Sequence, residues 1–240
     1  MSTADTSGTN HPRLPARRGS IAGTWWSKAV LRSVEEAAYS ASDLRRGRSL
    51  ARAGAVGSIT VSEGRAVAAV TDGQDAWTVE VTIPVLDDSD AAAFTELVAA
   101  ESGRIGALLA GQLPHAFVEA VEEAGVELLP YGGELGSACT CEAWLDPCPH
   151  ALAVLTQLAW LIQADPFVLT HLRGLSRDRV LRDLHRLAPP RAPTAALGAE
   201  SPGDSTASAE PDDLDDLVVA EDAAARAARQ LQQDRPFDGW

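Results

Sequence analysis

The sequence predicts an α+β fold, and three observations support this. Residues 24–52 carry apolar residues at helical spacing. Residues 56–83 contain three short alternating runs, separated by Glu-Gly and Asp-Gly turn signals. All three cysteines of the 240-residue chain lie between positions 139 and 148, before an apolar helix-forming segment. We therefore expect N-terminal helices plus a short antiparallel β-meander, a helical middle, a segment built around the cysteines, C-terminal helices and disordered ends.

The N-terminal part divides at about residue 20. Residues 1–20 are rich in Ser, Thr, Pro, Gly and Arg and have no periodicity, which is typical of a disordered leader. Residues 21–86 are predicted as a helix plus β-meander unit. In its first helix, the pair Trp25 and Trp26 is predicted to pack in the core, against the alternative of a base-stacking platform. Ser42 is the expected cap of its second helix.

The rest of the chain divides by its helix signals and its proline content. Glycines break residues 87–128 into three predicted helices, a helical bracing segment. Residues 166–187 are predicted as the C-terminal helices. Residues 188–213 form a Pro, Ala and acid-rich linker, and residues 214–240 an acidic amphipathic tail. This tail either docks on a partner or on the basic N-terminal region, or only keeps the protein soluble.

Composition and charge limit the class of protein. A hydrophobic content of 45% suffices for a core. No apolar run long enough for a membrane span and no secretory signal can be recognised, so we expect a cytoplasmic protein that does not contact a membrane. Residues 11–65 hold ten Arg or Lys against four acids, whereas residues 199–240 hold eleven acids against three Arg, within a net charge of −14. A local basic face can still meet phosphate despite the overall acidity.

The cysteines and one histidine form the strongest motif. Cys139, Cys141, Cys148 and His150 provide three thiols and one imidazole, which is the ligand set of one closed tetrahedral zinc site. A redox pair formed by Cys139 and Cys141 is the alternative, but Cys-x-Cys lacks the Cys-x-x-Cys pattern of thioredoxin-like enzymes. We therefore predict one structural Zn²⁺. The other histidines have no ligand partners at suitable spacing.

The spacing also predicts how the ligands are presented. In an extended segment, Cys139 and Cys141 leave the same face. Cys148 and His150 would point apart inside a helix, so we expect them at a helix start, with Pro149 at the first helical position. Cys148 would then lie where the helix dipole favours a thiolate.

The ligands follow the pattern Cys-x-Cys, six residues, Cys-x-His. Trp144 comes after the second cysteine, and an apolar helix-forming segment comes after the histidine. This pattern resembles the SWIM zinc finger. The resemblance covers residues 129–165 and implies a ββα-like finger that holds zinc through Cys139, Cys141, Cys148 and His150. It also implies a role in DNA or protein interaction, since such fingers accompany Swi/Snf-type helicase-like ATPases, Mutator-type transposases and some ubiquitin-related or recombination-associated proteins. The whole chain resembles small bacterial SWIM-finger proteins without an ATPase module.

No catalytic constellation can be recognised. The sequence has no phosphate-binding loop with Lys and Ser/Thr, no nucleophile has a convincing histidine partner, and the expected metal site is coordinatively full. We therefore expect a protein that is not an enzyme and takes no small-molecule substrate.

Two functions remain after this exclusion. The chain is either a protein-protein adaptor, associated with a helicase-like ATPase or a DNA transaction, or a direct DNA-binding protein that uses the finger and its Arg-rich N-terminal region. No Lys or Arg occurs between Gly132 and Ile162. Because Lys and Arg supply most of the affinity for the phosphate backbone, this favours the adaptor.

Overall fold

One antiparallel sheet and eight helices make up the described residues, 8–18 and 23–187, of this computed structural model. The sheet has the order β1-β2-β3-β4-β5, with β1 Thr9–His11, β2 Val56–Ser62, β3 Arg65–Asp72, β4 Asp75–Thr82 and β5 Gly136–Cys139. The helices are α1 Trp25–Ala37, α2 Ala41–Arg52, α3 Asp88–Ala100, α4 Ser102–Leu109, α5 His115–Glu123, α6 Pro149–Ala164, α7 Phe167–Leu172 and α8 Arg177–Leu187. The predicted α+β class is confirmed.

The predicted meander is present as strands β2, β3 and β4. Tight turns join the strands, and their glycines Gly64 and Gly73 have φ values of 69° and 68°. This left-handed conformation strains any residue with a Cβ, which explains the Glu-Gly and Asp-Gly signals. Along β4 and its end, Val79, Val81 and Ile83 are buried, so one face of the meander covers the core as its alternation predicts.

The two N-terminal helices pack as the sequence predicts. Trp26 is buried and its Nε1 donates a hydrogen bond to the carbonyl of Ile162, at 3.1 Å. The Trp25 indole nitrogen donates to the carbonyl of Leu113, at 3.0 Å. Both tryptophans are thus committed to internal contacts, which confirms the packing role.

Two local predictions in this region are wrong. Ser40, not Ser42, caps α2, because the Ser40 hydroxyl accepts a hydrogen bond from the Asp43 amide at 3.0 Å. The leader predicted as disordered contains β1, in which Thr9 pairs with Val61 and His11 with Ile59. Its composition lacks a core-forming pattern, but the edge of β2 offers unpaired backbone groups that a short polar segment can satisfy.

The three helices predicted for residues 87–128 and the two for residues 166–187 are present. α3 starts at Asp88 because the side chain of Asp87 caps it, accepting from the Asp90 amide at 2.9 Å. The linker and tail predictions, residues 188–213 and 214–240, lie outside the described residues. No helix among the described residues is long and apolar enough to cross a membrane.

The segment that carries the cysteines shares its sheet with the meander. β5 pairs antiparallel with β4, with Val79 opposite Cys139 and Thr82 opposite Gly136. The finger therefore contributes one strand of its own, not two, and its second strand is β4. A four-residue strand cannot bury a face by itself, so it completes an existing sheet. The predicted segments 21–86 and 129–165 therefore contribute strands to one sheet.

Helix α6 lies at the centre of the core. Thirteen of its sixteen residues are buried, from His150 to Ile162. It packs against α1, α2, α7 and strands β2 to β5. Helix α2 approaches α6 closely at Gly47, where an added Cβ would come within 2.7 Å of the Cβ of Leu152. Glycine at position 47 therefore lets α2 lie directly on the first turns of α6.

A buried arginine joins segments that are distant in sequence. The Arg173 side chain is 2% exposed and donates to the carbonyls of Pro84, Glu127 and Leu128, at 2.8, 2.6 and 3.2 Å. It also pairs with the Glu134 carboxylate at 3.2 Å. Glu134 belongs to a short 3-10 helix that leads into β5. Arg173 thus fixes the entrance to the cysteine segment against the end of the meander.

We expect Arg173→Met to destabilise the fold by about 3–5 kcal/mol. The substitution keeps most of the side-chain volume but leaves a partly buried carboxylate and three carbonyls without their donor. Urea unfolding would measure the change. Arg182→Met, on the exposed side of α8, is the matched control and should change stability by less than about 0.5 kcal/mol. Equal stabilities of the two variants would contradict the role given to Arg173.

Candidate metal centre

The four predicted ligands converge on one point. One donor atom from each of Cys139, Cys141, Cys148 and His150 lies within 4.8 Å of the other three. The Nδ1 atom of His150 is 3.8 Å from the Cys139 sulfur and 4.0 Å from the Cys148 sulfur. Among the residues that the structure describes, this is the one group of three or more Cys, His, Asp or Glu residues suited to a metal ion.

Two elements and one tight turn present these ligands. Cys139 ends β5, and the chain turns back so that the Glu142 amide donates to the Cys139 carbonyl at 3.3 Å. Glu142 has φ 51°, a left-handed conformation that the reversal imposes. Cys148 is the N-cap of α6, and Pro149 follows at the first helical position. The helix-start placement predicted for Cys148 and His150 is confirmed.

The donor set fits a zinc ion. Tetrahedral zinc with Zn–S bonds of about 2.3 Å and Zn–N bonds of about 2.0 Å separates its ligand atoms by about 3.5–3.8 Å. The distances from His150 Nδ1 to the Cys139 and Cys148 sulfurs are close to this range. Four protein ligands close the coordination sphere, so the ion would be structural. The site has the donors for a single Zn²⁺.

The thiols lie in an environment that opposes charge unless a cation is bound. Burial raises the pKa of the Cys139 thiol to about 12, and burial also raises the pKa of Cys148. The amide of Ala151 donates to the Cys148 sulfur at 3.5 Å, which favours its thiolate. Zinc binds thiolates, so metal binding must release the protons that burial retains. The ion would supply the positive charge that this pocket lacks.

An outer contact orients the imidazole. The Nε2 atom of His150 lies 3.3 Å from an Asp72 carboxylate oxygen, and that same oxygen accepts from Arg46 at 2.6 Å. The Arg46 hydrogen bond is the main cause that lowers the pKa of Asp72. The Trp77 ring stacks on the imidazole at 5.9 Å between centroids. Carboxylate contacts of this kind fix the tautomer of a metal-bound histidine, here with Nδ1 toward the thiols.

The sequence analysis did not identify Asp72 as part of the site. Asp72 belongs to an Asp-Gly turn, and aspartate is common in such turns for conformational reasons alone. Only the pairing of β3 with β4 and the packing of α6 bring it to His150. Of the remaining histidines, His115 lies 3.2 Å from the Glu119 carboxylate and contacts the Trp25 ring. Among the described residues, the metal-suited group includes neither His171 nor His185.

The loop between the second and third cysteines projects into solvent. We call residues 142–147 the knuckle loop. Trp144 at its tip is 97% exposed, and Leu145 beside it is 41% exposed. The Ser137 hydroxyl donates to the Asp146 carboxylate, which ties the loop to β5. The loop is held at both ends by ligand cysteines, so a bound ion would fix its conformation.

Zinc removal is expected to loosen the knuckle loop and leave most of α6 folded. The helix is stabilised by burial in the core, whereas the loop depends on the ion. Hydrogen exchange should show that amides of residues 140–147 lose protection on chelation while those of residues 152–162 keep it. Equal loss in both segments would contradict this division.

Ligand variants provide the matching control for that measurement. Cys148→Ser should reproduce the effect of chelation, whereas His115→Ala, at an exposed histidine, should retain one zinc per chain. Metal content is measured by atomic emission. A full equivalent of zinc in Cys148→Ser would exclude it as a ligand.

Asp72→Asn should weaken zinc binding by about 10- to 100-fold without removing a ligand, because an outer carboxylate holds the imidazole in its binding tautomer. Competition with a chromogenic chelator would measure the affinity. Asp75→Asn lies in the same turn, at an exposed residue, and should bind zinc as the unaltered chain does. Identical affinities for the two variants would show that Asp72 has no such role.

Comparisons with known proteins agree with this geometry. The model of the SWIM zinc finger family matches residues 123–159. The uncharacterized protein Rv2102 of Mycobacterium tuberculosis is 33% identical over 186 residues, which are 76% of this chain and 65% of the relative. The chain thus spans slightly less than two thirds of that relative's length. No solved structure gives a significant match. The chain therefore carries a SWIM zinc finger, with Cys139, Cys141, Cys148 and His150 as its candidate zinc ligands.

Proposed function

We propose that this protein is a non-catalytic protein-protein adaptor that uses its zinc-stabilised finger as the docking element. One observation carries the proposal: the indole of Trp144 is 97% exposed at the tip of a loop whose two ends are metal ligands. A large aromatic side chain in water costs solvation free energy that a partner surface would recover. Tryptophan is also among the residues that most often anchor protein interfaces.

Zinc would reduce the conformational entropy that the knuckle loop loses when it binds a partner. A loop fixed at Cys141 and Cys148 loses little conformational freedom when it binds, so more of the contact free energy appears as affinity. A role as a preformed anchor also explains why a structural ion is placed beneath a solvent-exposed loop.

The charges of the knuckle loop indicate what the partner surface offers. Glu142 and Asp146 are exposed on either side of Trp144, and no Lys or Arg occurs between Gly132 and Ile162. A complementary surface has an apolar pocket for the indole and a rim of basic residues. The same charges oppose phosphate, so the alternative of DNA binding by the finger itself is disfavoured.

The absence of catalysis is part of the proposal. All three cysteines would serve as ligands of a zinc ion with four protein ligands, which would leave neither a free thiol nor an open coordination position for chemistry. We further propose that the protein works in the cytoplasm, where a reducing environment suits the three thiols. The partner class that we propose is a Swi/Snf-type helicase-like ATPase, since SWIM fingers accompany such enzymes.

The adaptor role is tested with Trp144→Ala. We expect a helicase-like ATPase that co-purifies with the unaltered protein to bind this variant at least about 30-fold more weakly, equivalent to a hot-spot loss of about 2 kcal/mol. Titration calorimetry with the purified partner would measure it. Tyr39→Ala removes another exposed aromatic, 73% accessible and outside the finger, and should bind normally.

Both variants should keep one zinc and an unchanged melting temperature, because neither side chain is buried. If Trp144→Ala and Tyr39→Ala bound the partner equally well, the knuckle loop would not be the docking element. If no ATPase of this kind bound the unaltered protein, the proposed partner class would be wrong.

A further inference from the structure

A second surface, remote in sequence from the finger, concentrates positive charge. Residues 12–18 run along the C-terminal end of α2, and together they form what we call the basic face. It consists of five exposed arginines, Arg13, Arg17, Arg18, Arg45 and Arg52. This surface is assembled from two segments that are about thirty residues apart in the chain.

Backbone and side-chain hydrogen bonds hold the two segments together. The amide of Arg17 donates to the carbonyl of Arg52 at 2.8 Å, and Arg13 Nε donates to the carbonyl of Gly54, also at 2.8 Å. The Arg17 guanidinium lies 5.6 Å from the centroid of the Trp160 ring, on α6. Arg13 and Arg17 thus serve partly as structural contacts, and the segment that carries them is fixed against the core.

The arginines of α2 divide into paired and unpaired groups. Arg46 pairs with Asp72, and Arg48 pairs with Glu35. Arg45 and Arg52 are seven residues apart, so they lie about 10 Å from each other on one side of the helix. The opposite side, with Gly47 and Ala51, is buried.

Three cations of the basic face have no counterion within the part of the chain that the structure describes. Within residues 8–18 and 23–187, Arg18, Arg45 and Arg52 form no side-chain hydrogen bond, ion pair or ring contact. Residues 8–18 contain no acid, and α2 contains only Asp43. A chain with a net charge of −14 does not need such a cluster of exposed arginines, without counterions among the described residues, in order to stay soluble.

The side chains of the basic face indicate which kind of anionic partner it binds. None of the exposed large hydrophobic side chains among the described residues lies in residues 8–18 or on α2. A protein interface would offer an apolar anchor there, and a membrane-binding helix would offer residues to insert. Guanidinium groups bind phosphate oxygens through paired hydrogen bonds. Cations alone, spaced along a helix, suit a chain of phosphates.

We propose that the basic face binds the phosphodiester backbone of nucleic acid, without base-specific contacts. This surface is separate from the knuckle loop, so the protein would hold nucleic acid on one side and a protein partner through Trp144. The inference does not rest on the proposed adaptor function. Its affinity must fall as salt rises, because binding releases counterions from the phosphates.

The test is fluorescence anisotropy of labelled single- and double-stranded DNA with the full-length, zinc-loaded protein at about 50 and about 200 mM salt. A triple variant removes the three arginines that have no counterion among the described residues: Arg18→Ala, Arg45→Ala and Arg52→Ala. We expect it to bind at least about tenfold more weakly and to lower the salt slope by about two to three, near one unit for each lost phosphate contact.

A control variant makes the same change in net charge elsewhere. This control is a triple variant that removes three exposed arginines outside the basic face: Arg65→Ala, Arg182→Ala and Arg186→Ala. It should change the affinity for DNA by less than about twofold. Trp144→Ala should bind DNA normally, which separates this inference from the adaptor proposal. Zinc content and melting temperature are measured for every variant.

Three outcomes would overturn the inference. The first is that the unaltered protein shows no salt-dependent DNA binding. The second is that both triple variants lose affinity equally, which would indicate an effect of net charge alone. The third is that poly-glutamate competes better than DNA of the same total charge, which would identify the face as a site for acidic polypeptide.

Discussion

The structure depends on the burial of α6 together with the two ligands in its first turn. Because Cys148 and His150 begin a helix that is surrounded by protein, their positions are set by core packing before any ion binds. Cys139 ends β5, which is itself held by hydrogen bonds to β4, and Cys141 lies in the turn that follows β5. The metal centre is therefore the junction of the sheet and the central helix, and the ion would join two elements that are already aligned.

Electrostatic contacts extend this junction outward. Asp72 connects His150 to Arg46, so the imidazole is linked to α2, the helix that carries part of the basic face. Arg173 makes the comparable connection at the other end of the finger, where it pairs with Glu134 beneath the approach to β5. In each case, one charged side chain, Asp72 or Arg173, links segments that are distant in sequence. They explain why the finger is continuous with the surrounding fold.

Charge and apolar exposure are segregated on the surface. The knuckle loop combines Trp144 with acids and lacks cations, whereas the basic face combines arginines with small side chains. The first composition suits a pocket in a protein, and the second suits a polyanion. A protein with a net charge of −14 would attract few polyanions over most of its surface. The two partners that we propose would therefore contact surfaces of different composition.

The sequence by itself determined the local features, because these depend on neighbouring residues. Turn glycines and alternation located the meander, and the Cys-x-Cys and Cys-Pro-His spacing located the four ligands and the start of α6. Only the tertiary structure decided which segments meet. It paired β5 with β4, turned residues 9–11 into an edge strand, and brought Asp72 to His150 across 78 positions. Such contacts arise from strand pairing and core packing between distant segments, and a local sequence pattern carries no record of them.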